Sequence, residues 1–572
     1  MTGVRGVDVV HGAVLARPDG TTTGPVDLHL GAGRVVEVLP AGSRPGHGRT
    51  LDAGGRLALP GFLDAHVHGG AAVFDEHVQH ALLRQGVTGI VVGADGIGAA
   101  PSDARSAAWA AGYFAAIDGA HPGFAGGSVG DLLATYDGTT PIGVATLVPH
   151  ATLRCTVMGT AQRAATPAEV EEMVRLATQA FDDGAVGLST GLEYVPAAWA
   201  EADELVALAR GAASRGLPHV SHMRGYEAAA GPAFAELLAI AAASGAATHV
   251  SHLHGPADDL VRLLDDARAA GHDVTFDSYP YLRGCSILAM VALPSWLPLA
   301  DPDAALAALA DPPTAARVRA HLDGLDDLWP RVTLAWAPGL DGVAGAGAGA
   351  GGADGADGVA GSRLTDVAAR WGLRPADAAL RILVETRLRA GCVFAQPPTN
   401  SAASVRSLAN HPAHLAGSDA IYQPLAGGGR PHPRGWGTFA RYLAEHVVAT
   451  GDWTWHDAVQ HLSARAAARF GLPDRGHLSP GAAADVVLVD PATVRDLATY
   501  DAPRTPATGI DDVLVAGTAV LADGDLTGAT PGGPLRARRR PRATAGHRAT
   551  AGLSTAEGLP AAEGRTATEG RR

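Results

Sequence analysis

The chain has 572 residues, of which 47% are hydrophobic and 18% charged, enough for a large core and a smaller companion domain. No apolar run approaches the roughly 18 residues of a membrane span, and a net charge of −14 argues against a nucleic-acid surface. All 44 basic residues are arginine, which excludes Schiff-base chemistry, a lysine general base and a carbamylated-lysine metal bridge.

Residues 4–40 alternate short strand-like runs, such as Val7 to Leu15 and Val26 to Leu30, with Pro-Asp-Gly and Gly-Ala-Gly turns, which predicts a small β module. From about residue 58 to 472, apolar runs alternate with amphipathic helical stretches: Gly86–Val92, Gly184–Leu188, Leu217–Ser221 and Ala247–Ser251 each precede a helix. Repeated βα units predict an α/β fold, a (β/α)8 TIM-like barrel. A doubly wound sheet is the alternative, but no glycine fingerprint opens any helix. A helical insertion is expected at about 290–335, and the Gly/Ala/Asp-rich 339–361 reads as a flexible loop, with a lid as its functional alternative. β patterning returns over 473–535, which is placed with 1–57 as one β-sandwich assembled from both chain ends, because neither piece alone buries a core. Residues 536–572, a basic run and then a Gly/Thr/Ala/Glu tail, are expected to be disordered.

Cys155, Cys285 and Cys392 make neither a disulfide framework nor a CxxC knuckle. The N-terminus lacks a basic segment followed by an apolar core. A cytoplasmic protein is expected, with no nucleic-acid or membrane partner.

Pro60-Gly-Phe-Leu-Asp-Ala-His66-Val-His68 places two imidazoles at i and i+2 of an extended run, hence on one face, where both can reach one metal ion. With 24 histidines in the chain, such a pair alone is weak evidence. His222, in Val-Ser-His-Met-Arg224, and His252, in Val-Ser-His-Leu-His254, each follow an apolar run and stand one βα unit apart, on neighbouring strand ends. Either alone could be a buried core histidine. Asp419, in Gly-Ser-Asp419, follows the last strand-like run. A carboxylate there can bind a metal and accept a proton from water, or serve as an N-cap or turn residue.

These motifs, with Gly187-Leu-Ser-Thr-Gly-Leu-Glu-Tyr194, Asp277-Ser-Tyr-Pro-Tyr281, His432-Pro-Arg-Gly-Trp-Gly-Thr-Phe439 and the run from Asp485 to Pro491, resemble the amidohydrolase superfamily and within it the D-aminoacylase (N-acyl-D-amino-acid deacylase) family, in that family's order over about residues 5–535. The resemblance implies hydrolysis of the amide of N-acyl-D-amino acids with one or two zinc ions. It implies His66 and His68 as one metal pair, His222 and His252 as the tighter site, and Asp419 as general acid/base. Where the family carries a metal-bridging cysteine this chain has Asp95, either a ligand or bridge, or a plain turn aspartate. Glu193 is a competing carboxylate. Where the family carries a carboxylate-holding lysine this chain has His254, so anion binding shifts to arginine and the substrate-binding candidates become Arg224 and Arg283 with His254, Tyr281 and Tyr194, and an acidic or atypical acyl substrate is expected. A cyclic-amide hydrolase of the hydantoin or dihydroorotate type is second, and a catalytically silent binding scaffold third. The oligomeric state is left open.

Overall fold

A computed structural model describes residues 6–44, 48–340, 358–425 and 428–538. Most of the 339–361 loop and the tail from residue 539 lie outside them. Among the described residues no helix is long and apolar enough to cross a membrane.

Eight parallel strands carry the architecture: β1 (Phe62–Asp64), β2 (Val87–Val92), β3 (Gly143–Thr146, resumed at Val148–Pro149), β4 (Leu188–Gly191), β5 (His219–His222), β6 (Thr248–Val250), β7 (Val274–Ser278) and β8 (His414–Ala416). Each pairs with the next in chain order. β8 returns to the start of the set: the Ala65 N–H donates to the Ala416 carbonyl at 3.1 Å, and Ala420–Ile421 pairs in parallel with Val67–His68. Nearly every residue of these strands is buried, as expected of strands covered on both faces. The helices Glu76–Arg84, Pro167–Asp183, Ala202–Ala213 and Ala257–Ala269 start with an acidic first turn or a side-chain cap, which satisfies orphan N–H groups and complements the helix dipole.

Two further sheets flank this set, the first mixed, since Val9–Ala13 pairs in parallel with Thr50–Asp52, and the second antiparallel. One has the order Arg34–Pro40, Val26–Gly31, Val9–Ala13, Thr50–Asp52; the other Asp525–Leu526, Thr518–Ala522, Ile510–Val515, Val486–Val489, Leu57–Pro60. The chain ends meet in the second, where Leu57–Pro60 pairs with Val486–Val489. Val10, Leu28 and Val35 of the first sheet share one apolar cluster with Val486, Leu488 and Leu514 of the second. Between β7 and β8 the chain makes the helices Leu288–Ala292, Pro302–Ala310 and Pro312–Asp323, and further helices at Leu364–Trp371 and Pro375–Glu385. It also makes a three-stranded antiparallel sheet of Arg283–Ile287, Gly391–Ala395 and Val332–Trp336, so this excursion is mixed α/β and runs past residue 335.

Candidate metal centre

Parallel strands present their C-terminal ends to one mouth, and the predicted donors all sit there. His66 and His68 flank Val67 just beyond β1, His222 ends β5, His252 lies two residues past β6, Asp95 three past β2 and Asp419 three past β8. All six are buried, at most 6% exposed. They form two groups of mutually close ligand atoms, His66–His68–Asp95–Asp419 and Asp95–His222–His252. Asp95, His252 and Asp419 hold φ of 55°, 34° and 50°, a left-handed conformation that non-glycine residues adopt at a cost and that collects at functional sites. Room is made by glycines: a Cβ on Gly191 of β4 would stand 2.1 Å from the Asp95 carbonyl oxygen, and one on Gly417 would stand 2.8 Å from both His66 Cβ and the Asp277 carboxylate.

A metal fits this donor set. An oxygen and an imidazole nitrogen on one tetrahedral ion stand about 3.4 Å apart, given ligand bonds of about 2.1 Å. His66 Nε2 and His68 Nε2 lie 3.5 and 3.3 Å from Asp419 Oδ1, and His252 Nε2 lies 3.3 Å from Asp95 Oδ2. His222 Nδ1 and His252 Nε2, at 2.8 Å, would have to part slightly. His66 Nε2 and Asp95 Oδ1 are buried without any hydrogen-bond partner, which is costly for polar atoms unless something else satisfies them.

Electrostatics describe the same cluster. Burial works against a charged His66, but the carboxylates of Asp277, Asp95 and Asp419 overcome it and hold its pKa well above the ordinary range. His68 and His252 are likewise raised, against burial, by Asp419 and Asp95. Burial would raise Asp95 and Asp419, yet His66 and His252 hold the first well down, and Arg434 followed by His66 lowers the second. Such facing charges call for a cation to replace the protons.

Outer residues hold the candidate donors in place, and sequence reasoning did not single out their roles. The Asp277 carboxylate, at the end of β7, accepts from His66 Nδ1 at 3.2 Å, from His249 Nε2 at 3.0 Å and from the His252 N–H at 2.9 Å. This fixes the His66 tautomer with Nε2 facing the centre. Glu193 does the same for His222, 2.7 Å from its Nε2. Arg434 opens the helix Arg434–Tyr442, is fully buried, and places Nη1 2.8 Å from Asp419 Oδ2. The one available signal was position: Asp277, like the ligands, closes an apolar strand.

A model of the amidohydrolase family (Amidohydro_3) matches residues 49–521. An N-acyl-D-glutamate deacylase of Alcaligenes xylosoxydans xylosoxydans is 34% identical over 86% of this chain and 89% of its own. The chain belongs to the amidohydrolase family. A D-aminoacylase of the same organism is 29% identical over 88% of this chain and 92% of its own. The crystal structure of the N-acyl-D-glutamate deacylase from Bordetella bronchiseptica, complexed with zinc and a phosphonate inhibitor that mimics the tetrahedral intermediate, superposes with a TM-score of 0.74 at 31% identity, covering 93% of this chain and 100% of that one.

In this amidohydrolase the donors open into a cavity of about 570 Å³ lined by Tyr194, Arg224, Tyr226, His254, Tyr279 and Gln396 among others. The Tyr194 ring stands 4.4 Å from that of His222. Arg224 is already engaged: it pairs with Glu236 at 3.0 Å and donates to the carbonyls of Ala198 and Ala200. His254 stacks on Tyr226 with centroids 4.8 Å apart, and its Nδ1 donates to the His252 carbonyl at 2.8 Å; burial, followed by His252, lowers its pKa to about 4. Arg283 is not brought to the donors. With Tyr281 it lines a neighbouring cleft of about 810 Å³, where its guanidinium lies 4.0 Å from the Tyr500 ring centre, while Tyr281 also borders a small space beside His252 and His254. Gln396 lines both the cavity and the cleft.

Proposed function

We propose that this amidohydrolase cleaves the amide bond of N-acyl-D-amino acids, or of a close N-acyl analogue, with zinc as its cofactor. The observation that carries the reading is the convergence of six buried donors in two groups sharing Asp95, supported by relatives whose names state N-acyl-D-glutamate deacylation and D-aminoacylation and by zinc in a related structure. His66, His68, Asp95, His222, His252 and Asp419 would hold one or two ions. Zinc held there supplies Lewis acidity, which polarises an acyl carbonyl and acidifies water.

The remaining chemistry belongs to the chain. Arg434 holds Asp419 Oδ2, which leaves Oδ1 turned to the histidine pair as the base for the proton of the attacking water. The same carboxyl then returns that proton to the leaving amine. Asp277 and Glu193 keep two imidazoles aimed at the centre. Tyr194 and His254 are placed to contact substrate in the cavity. Arg224 contributes as a wall rather than a free cation, because Glu236 takes its charge.

The finer organisation belongs to the same reading. The return of β8 to the Ala65–His68 segment supports a closed (β/α)8 barrel over about 58–472. The apolar cluster shared by the two flanking sheets supports a β-sandwich made of 1–57 and 473–535. The unpaired thiols Cys155, Cys285 and Cys392 support a reducing compartment such as the cytoplasm. A cyclic-amide hydrolase has no lysine to carbamylate here, and a silent scaffold does not account for the orphaned donor atoms His66 Nε2 and Asp95 Oδ1.

The test is a panel of N-acetyl-D- and N-acetyl-L-amino acids, including D-glutamate and D-leucine, assayed before and after chelation. D-selective release of the free amine, abolished by chelator and restored by zinc, is expected. Hydrolysis indifferent to chelator, or none on any member by zinc-loaded protein, refutes the proposal.

A further inference from the structure

The cleft of about 810 Å³ beside the catalytic cavity takes no part in the chemistry described above. Its walls hold three arginines, Arg283, Arg406 and Arg441, against one acid, Glu445. Two of the three are engaged: Arg406 pairs with Asp452 at 2.6 Å and Arg441 with Glu445 at 2.7 Å. Among the described residues Arg283 faces no carboxylate within ion-pair distance, and its guanidinium lies over the Tyr500 ring instead. His432, fully buried, braces that arrangement. Its Nδ1 accepts the Arg434 N–H at 3.0 Å, so Nε2 carries the proton, donates to the Arg283 carbonyl at 3.1 Å and stands 3.3 Å from Tyr500 Oη. An aromatic ring thus covers one face of the guanidinium, while its N–H edge, the part that grips a carboxylate in a bidentate pair, has no protein partner.

The rest of the wall supplies shape rather than hydrogen bonds. Leu282, Pro397, Pro398 and Val405 are apolar. Polar side chains between them are satisfied inside the protein: Asn400 donates to Gln396 Oε1, Ser401 caps the helix Ala402–Ala409, and Thr450 donates to the His446 carbonyl at 3.4 Å. A ligand that fits has one anionic head for Arg283 and an apolar body. We infer that this cleft binds an apolar monocarboxylate, and that its occupant is the carboxylic acid released by amide hydrolysis in the adjoining cavity. Gln396 lines both spaces, which places the site beside the centre where such an acid forms. The choice of occupant rests on the hydrolase reading above; the binding site does not.

The experiment titrates octanoate calorimetrically into the full chain equilibrated with zinc. Wild type is expected to bind octanoate at a site whose affinity falls at least about tenfold in Arg283→Gln, because a charge-assisted pair is lost. Octanamide, of the same length without the charge, is expected to show no dependence on Arg283. Photolabelling of wild type with 4-benzoylbenzoate is expected to place the adduct on residues 397–406, which border the cleft and not the cavity. No octanoate binding, equal octanoate affinity in wild type and Arg283→Gln, or an adduct confined to the catalytic cavity overturns the site, whether or not the protein hydrolyses amides. The adduct decides the matter alone if the variant does not fold. In Asp419→Asn, N-octanoyl-D-alanine that binds through Arg283 more tightly than octanoate overturns the assignment of the occupant. Octanoate binding as expected in a chain that fails the hydrolysis panel overturns the occupant as well, and leaves the site standing.

Discussion

Asp277→Asn removes one charge from behind the centre and leaves the volume unchanged. Asp277 is fully buried and accepts three hydrogen bonds: the His66 and His249 ring nitrogens reach Oδ2 at 3.2 and 3.0 Å, and the His252 N–H reaches Oδ1 at 2.9 Å. An amide replaces one oxygen with a donor, which then faces either two imidazole nitrogens or one backbone N–H. A buried, unmatched donor costs about 1–3 kcal/mol of stability. His66 also loses the carboxylate that keeps its proton on Nδ1 and its Nε2 lone pair toward the ion. Loss of such an outer partner lowers metal affinity about 10–100-fold, or about 1.4–2.7 kcal/mol. Zinc affinity measured by competition with a fluorescent chelator at neutral pH should fall by that factor, and excess zinc should recover part of the lost turnover. Unchanged zinc affinity in a variant that melts like the wild type would refute the role assigned to Asp277.

Asp419→Asn should reduce turnover by about 10²–10⁴ through loss of the general base while the protein still binds zinc through His222, His252 and Asp95; metal analysis beside rate measurement checks this. Phe62 is fully buried in β1 and stacks on Phe439 with ring centres 6.0 Å apart. Phe62→Ala should therefore cost about 3–5 kcal/mol in denaturant unfolding, and a loss below 1 kcal/mol would contradict that packing. Burial, together with His150, depresses the pKa of His219 to about 3. An unfolded imidazole titrates near 6.5, so below about pH 6.5 the unfolded chain binds a proton that the folded chain refuses. Stability then falls as pH drops toward 3, and above about 6.5 this contribution is constant. From pH 7 to 5 the loss is about 2 kcal/mol; equal losses in wild type and His219→Gln would contradict the assignment.

Much of the centre was legible in the chain because its signals are local. His66 and His68 share a face through the two-residue strand period, and His222 and His252 repeat one βα unit, so strand ends alone put four imidazoles at one mouth. Asp419 was a candidate because it follows an apolar run, and Asp95 because it stands where the resembled family carries a metal-bridging cysteine. Residue types also limited the chemistry before any fold was known: with no lysine in the chain, a carbamylated-lysine metal bridge was excluded. Substrate contacts were less legible. Arg224 is engaged by Glu236, twelve positions on, and Arg283 turns onto Tyr500 in the neighbouring cleft.

By itself, then, the sequence determined the alternating βα architecture, the donor inventory and the positions from which donors could be offered, since periodicity and composition act over a few residues. Only the tertiary structure decided which donors lie close to one another, that Asp277 backs His66 from 211 positions away, and that Arg434 clasps Asp419. Such pairings depend on strand order, register and the direction of each buried side chain, and those are settled when the whole core packs.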